Sequence, residues 1–157
     1  MTNKDIANLV REKNELKMRL NVKKAEKRMY ELRKKGMQSI ETKTTATYDE
    51  RTSSKNISDP TGKLVIKKID KMEELQAVIL ELDCDIALFE TRIIEIEYGF
   101  KILTHKEKVV LEGAILNPDL DLDELGRIVY YKEFGETRSD DTIARILKKA
   151  YKKLKCG

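Results

Sequence analysis

The 157-residue chain has no tryptophan, two prolines, two cysteines and a single histidine. Each scarcity removes a class of protein. Cys84 and Cys156 stand far apart and outside any CxxC pair or Cys/His cluster, so neither a zinc site nor a disulfide framework is expected. His105 alone cannot supply a histidine metal site or a catalytic triad, no glycine-rich phosphate loop is present, and no nucleophile neighbours a base. The expectation is a chain that is not an enzyme and uses no metal or cofactor. No apolar run approaches the roughly 20 residues that cross a bilayer, and the opening Met1-Thr2-Asn3-Lys4-Asp5 lacks a signal-peptide core. A cytoplasmic protein with reduced thiols and no membrane partner is expected.

What is plentiful is charge. Asp, Glu, Lys and Arg make up 38% of the chain and aromatic residues 6%, which suits long exposed helices better than a compact sheet core. An all-α fold is expected, with long N-terminal helices arranged as a coiled coil or a helical hairpin, followed by a C-terminal helix-turn-helix. The net charge is +4, but it is unevenly spread. Residues 1–40 hold twelve basic and five acidic residues, residues 63–103 hold six and nine, and the stretch from Thr142 onward holds six basic residues and no acidic one. A helix with that concentration of positive potential calls for a polyanion.

Four segments follow from the pattern: a basic helix (1–36), a polar linker (37–62), a heptad helix (63–103) and a C-terminal DNA-binding domain (104–157). Asp5 to Lys35 is free of Pro and Gly and rich in good helix formers, with Gly36 placed as a C-terminal cap. Its apolar positions run Ile6, Leu9, Leu16, Leu20 and then shift sideways to Met18, Val22, Ala25, Met29, Leu32. The linker is too polar to bury much surface and ends in Asp59-Pro60, a capping residue followed by a residue suited to the first helical position. Met72, Leu75, Ile79, Leu82, Ile86, Phe89, Ile93, Ile96, Phe100 and Leu103 then keep an unbroken three-four alternation. That is a coiled-coil seam, and it predicts either a homodimer through residues 72–103 or an antiparallel hairpin on the first helix. Cys84 falls at a solvent-facing position of this register.

Thr104-His105-Lys106-Glu107 matches a capping box, so a helix begins there and Gly99 to Leu103 is a bend. Val109, Val110, Ala114 and Ile115 give that helix an apolar face, and Asn117-Pro118 ends it. Asp121 to Glu124 repeats the start signal, Leu125, Ile128 and Val129 supply a core face, and Gly126 allows a close approach. Lys132 to Arg138 reads as a polar turn, and Ser139 caps the last helix. In that helix Ile143, Ile146, Leu147, Ala150 and Leu154 form one apolar stripe opposite Thr142, Arg145, Lys148, Lys149, Lys152 and Lys153.

Lys106-Glu107-Lys108-Val109-Val110-Leu111, Asp121-xx-Glu124-Leu125-Gly126 and Ser139-xxx-Ile143-xx-Ile146-Leu147-Lys148-Lys149-Ala150 together resemble the fourth region of primary-type sigma factors, a DNA-binding module that docks on the −35 promoter element. With the basic first helix and the heptad helix upstream, the chain resembles small phage-encoded transcriptional regulators of the autolysin-regulator and late-gene-activator type. The resemblance implies double-stranded DNA and host RNA polymerase as partners. It implies Asp141, Thr142 and Arg145 as readers of base edges, and Lys148, Lys149 and Lys152 as phosphate contacts. One departure stands out: Tyr130 occupies the family's glycine position and Ser139 comes about seven residues late, so the turn is enlarged, by a longer first helix or by a loop. The alternative reading is a phage small terminase subunit, which also joins helix-turn-helix to coiled coil but assembles as a ring.

Overall fold

The computed structural model describes residues 1–41 and 60–156, with side chains at 1–38 and 67–156. Every regular element among them is helical. In chain order these are α1 (Asn3–Glu41), α2 (Pro60–Gly99), α3 (His105–Leu116) and α4 (Leu122–Glu124). A π-helical turn (Leu125–Tyr130), α5 (Tyr131–Phe134) and α6 (Asp140–Cys156) complete the chain. Most of the expected linker, including the capping position Asp59, lies outside the described residues, while Pro60 opens α2 as its composition suggests. Two compact units emerge, one built from Met1–Arg19 with Phe89–Gly157 and the other from Leu20–Leu88.

In the Leu20–Leu88 unit the two helical segments run antiparallel. Lys23 pairs with Asp85 at 2.9 Å, Lys27 with Asp83 at 2.6 Å, and the Lys34 ammonium donates to Gln76, so the partner number falls as the α1 number rises. Ile79 and Leu82 of the heptad seam are buried, and Met72, Leu75 and Ile86 are half-buried.

In the other unit the start of α1 is a structural element. Ile6 and Val10 are fully buried against Ile96, Phe100, Leu103, Leu111, Ile115, Ala150 and Leu154. Lys13 follows Ile6 and Leu9 in the same seam, where its stem is buried and its ammonium pairs with Glu112 of α3. Arg92 pairs with Glu12 at 2.7 Å and Lys17 with Glu97 at 3.2 Å, joining the start of α1 to the end of α2. Ile96, Phe100 and Leu103 are covered by this core, so the lower part of the seam closes within one chain. The apolar surface that a homodimer through residues 72–103 would use is therefore already occupied there.

Two element boundaries differ from the sequence reading. α1 runs through Gly36 to Glu41, and Gly36 has no left-handed backbone, so it is an interior helical residue and not a cap. The expected polar turn from Lys132 is also shorter, because the helix entered at Leu122 continues without interruption to Phe134. Gly135 ends it at φ 68°, the left-handed conformation that glycine adopts without a Cβ penalty.

Candidate nucleic-acid interface

α6 is held in place by three kinds of contact. Ile143 is buried with Val110, Leu125 and Tyr130, whereas Ala150 and Leu154 are buried in the core that includes Ile6 and Phe100. Leu147 packs on both groups, so the apolar stripe read from the sequence is the anchoring face. The third contact is electrostatic. Glu107 of α3 is buried, accepts the Thr104 amide at 2.8 Å in the expected capping box, and accepts from the Lys153 ammonium at 2.7 Å. Burial pushes its pKa up, but the Lys153 ammonium and the Thr104 hydrogen bonds outweigh that and hold it below the ordinary carboxylate value.

Lys153 is thereby spent on the scaffold. Arg145, Lys148, Lys149 and Lys152 are exposed on the other side of α6. Arg145, Lys148 and Lys152 make no ion pair among the described residues, and Lys149 reaches Glu107 only at 4.0 Å. A row of cations of which only Lys149 has an internal counter-ion, and that at 4.0 Å, can exchange its solvent ions for the phosphates of a nucleic acid.

The N-terminal end of α6 is differently charged. Asp140 and Asp141 are exposed in its first turn, where the helix dipole stabilises carboxylates. The Ser139 carbonyl accepts the amides of Thr142 and Ile143, as expected of a residue at the cap position. Its hydroxyl lies 3.1 Å from the Thr142 hydroxyl, so half-buried Thr142 has a partner within the chain while Asp141 and Arg145 point to solvent. Of the six site residues expected from the sequence, five are exposed and Thr142 is the exception.

The segment in front of α6 is helical from Leu122 to Phe134. Asp121 opens it with a second capping box, its carboxylate accepting the Glu124 amide at 2.8 Å and the Glu124 carboxylate accepting the Asp121 amide at 3.1 Å. The π turn lies just beyond, with Leu125, Gly126 and Tyr130 buried. Gly126 meets the chain just ahead of α6: a Cβ there would lie 2.3 Å from the Arg138 carbonyl oxygen. Tyr130, the last residue of the π turn, does not lie in a loop. It is a core residue, packed on Phe134 with the two rings tilted and their centroids 4.5 Å apart, and Lys106 and Arg138 lie near its ring.

Two contacts at this end had no counterpart in the sequence reading. His105, in the first turn of α3, is exposed, lies 2.9 Å from Glu133 and packs edge-on with Phe134. Glu136 pairs with Arg138 at 2.6 Å. The first ties α3 to α5 and was hidden by its spacing of 28 residues, and the second lies within the loop in front of α6. Comparison with known protein families, curated proteins and solved structures gives no match.

Proposed function

We propose that this chain is a sequence-specific DNA-binding transcriptional regulator of phage or prophage origin, acting at a promoter. In this reading the segment from Leu122 to Phe134 and α6 form a sigma-like helix-turn-helix. The observation that carries it is the division of α6: Ile143, Ala150 and Leu154 anchor the helix, and the exposed row Arg145, Lys148, Lys149 and Lys152 lacks strong internal partners. Support also comes from the two capping boxes and the close approach at Gly126, which hold α6 in one orientation. Basic residues of α1 contribute less, since Lys13, Lys17, Lys23 and Lys27 are paired with carboxylates of the chain. Host RNA polymerase remains the candidate second partner on the sigma resemblance alone.

Within this reading Arg145 and Asp141 read base edges and the three lysines set the register on the backbone. A bidentate Arg145 contact with guanine is worth about 1 to 3 kcal/mol of discrimination. Fluorescence anisotropy on a promoter fragment from the gene's own neighbourhood and on a scrambled duplex, across a salt series, tests this. Arg145→Ala should bring the two affinities together. Lys149→Ala should weaken both equally and lower the slope of log K against log salt by about one contact. Equal losses on both duplexes for both variants would remove the assignment, and no binding of the wild-type chain to either would remove the function.

A further inference from the structure

The cations of α6 do not form one class. Arg145, Lys148, Lys149 and Lys152 recur at three- and four-residue spacing, and Lys153 stands one turn beyond Lys149, at the margin between that row and the buried stripe. By spacing alone Lys153 belongs to the edge of the row. The structure sets it apart: its side chain is 29% exposed, against 69% for that of Lys149, and its ammonium lies 2.7 Å from Glu107 Oε2.

The same carboxylate reaches both lysines from α3. Glu107 is buried, and its Oε2 also accepts the Thr104 amide at 2.8 Å, which fixes the group in place. Its other oxygen, Oε1, lies 4.0 Å from the Lys149 ammonium. Among the described residues, both ion pairs made by cations of α6 go to this one carboxylate. A pair whose acid lies out of water is screened less by salt than a contact between an exposed ammonium and a surface phosphate. A duplex approaching α6 therefore meets Lys153 already neutralised and Lys149 beside a fixed negative charge.

Contacts with the phosphate backbone add affinity for DNA of every sequence, so the number of free lysines sets that part of the binding. We infer that Glu107 is an internal counter-ion that stands in for a phosphate: it keeps Lys153 off the nucleic-acid backbone and so limits the sequence-independent affinity of α6. The inference rests on the DNA-binding reading of this helix. It adds to Glu107 a role in binding strength beside its role in capping α3 and seating α6.

Fluorescence anisotropy on the promoter fragment and on the scrambled duplex, across a salt series, tests it. Glu107→Gln keeps an oxygen for the Thr104 amide and removes the charge, and should tighten binding to both duplexes alike. Its slope of log K against log salt should steepen by about 0.9, which enlarges the loss of affinity between about 50 and about 200 mM salt roughly threefold. Glu97→Gln makes the same change in net charge at a carboxylate paired with Lys17, and should keep the wild-type slope. Adding Lys153→Met to Glu107→Gln should restore the wild-type slope. If Glu107→Gln only matches Glu97→Gln, or stays steep once Lys153 is gone, the inference falls while the function stands; a wild-type chain that binds neither duplex removes both. A second measurement needs no variant. In reductive methylation of the wild-type chain read by mass spectrometry, Lys148 and Lys152 should react quickly and be protected by the duplex, whereas Lys153 should react slowly with or without it. Fast reaction of Lys153 in the free chain, whether or not the duplex slows it, would overturn the inference.

Discussion

Gly126→Ala should destabilise the protein, although alanine is the better helix former. The residue sits in the π turn with a negative φ, so backbone strain is not the issue, and helix propensity alone would favour alanine by about 1 kcal/mol. Against that gain stands the Arg138 carbonyl oxygen, 2.3 Å from where the new Cβ would lie, with Ile143 Cγ1 at 3.5 Å. The obstacle is backbone, and it belongs to the segment that leads directly into α6, so relief requires the two segments to separate by roughly 1 Å. Overpacking of this kind costs about 1 to 3 kcal/mol, occasionally more. After the propensity gain of about 1 kcal/mol, a net loss of up to about 2 kcal/mol remains, which at this chain length lowers Tm by up to about 8 °C. Gly36→Ala is the matched control: it lies inside α1, has a negative φ and has nothing within 4 Å of the added Cβ. It should stabilise by about 0.5 to 1 kcal/mol. Thermal and urea unfolding followed by circular dichroism at 222 nm reads both. If Gly126→Ala raises stability as Gly36→Ala does, the close approach ahead of α6 does not exist.

Glu107→Gln should flatten the acid limb of the stability curve. Its folded pKa lies below the ordinary value of 4.5, so its contribution is present above that value and is lost as pH falls through the lower folded pKa; wild type should lose stability over that window and the variant should not. At neutral pH the lost charge-assisted contact with Lys153 should cost about 1.5 to 3 kcal/mol, and an identical acid limb in both proteins would dismiss the pair. Lys13→Met should be neutral or slightly stabilising in urea unfolding, because methionine fills the buried stem's place and half-buried Glu112 can turn to water; a loss above about 3 kcal/mol would mean that the pair itself holds the unit together.

Local signals in the sequence were legible down to single residues. Thr104 with Glu107, and Asp121 with Glu124, form the capping boxes their spacing announces, and Asn117 caps α3 where it was expected. The buried stripe of α6 and the seam of α2 follow from periodicity in the same way. What periodicity cannot carry is the identity of the partner surface. A seam of Ile, Leu and Phe has the same spacing whether the other helix belongs to the same chain or to another one. The π turn was equally hidden, since π geometry has no composition of its own, and Tyr130 reads as a turn intruder until its ring is seen buried on Phe134. Gly36 misled for a related reason: glycine past a basic run is a frequent cap, but tolerance inside a helix leaves no separate mark.

The sideways step in α1's apolar pattern separates the row that the fold buries from one that it leaves mostly exposed. Ile6, Leu9, Leu16 and Leu20 belong to one row and Met18, Val22, Ala25, Met29 and Leu32 to another. Leaving Val22, Met29 and Leu32 in water forgoes burial worth about 1.5 to 3 kcal/mol for each such side chain. The first row closes the fold, with Ile6 fully buried against Phe100 and Leu154, whereas Val22, Met29 and Leu32 of the second stay exposed.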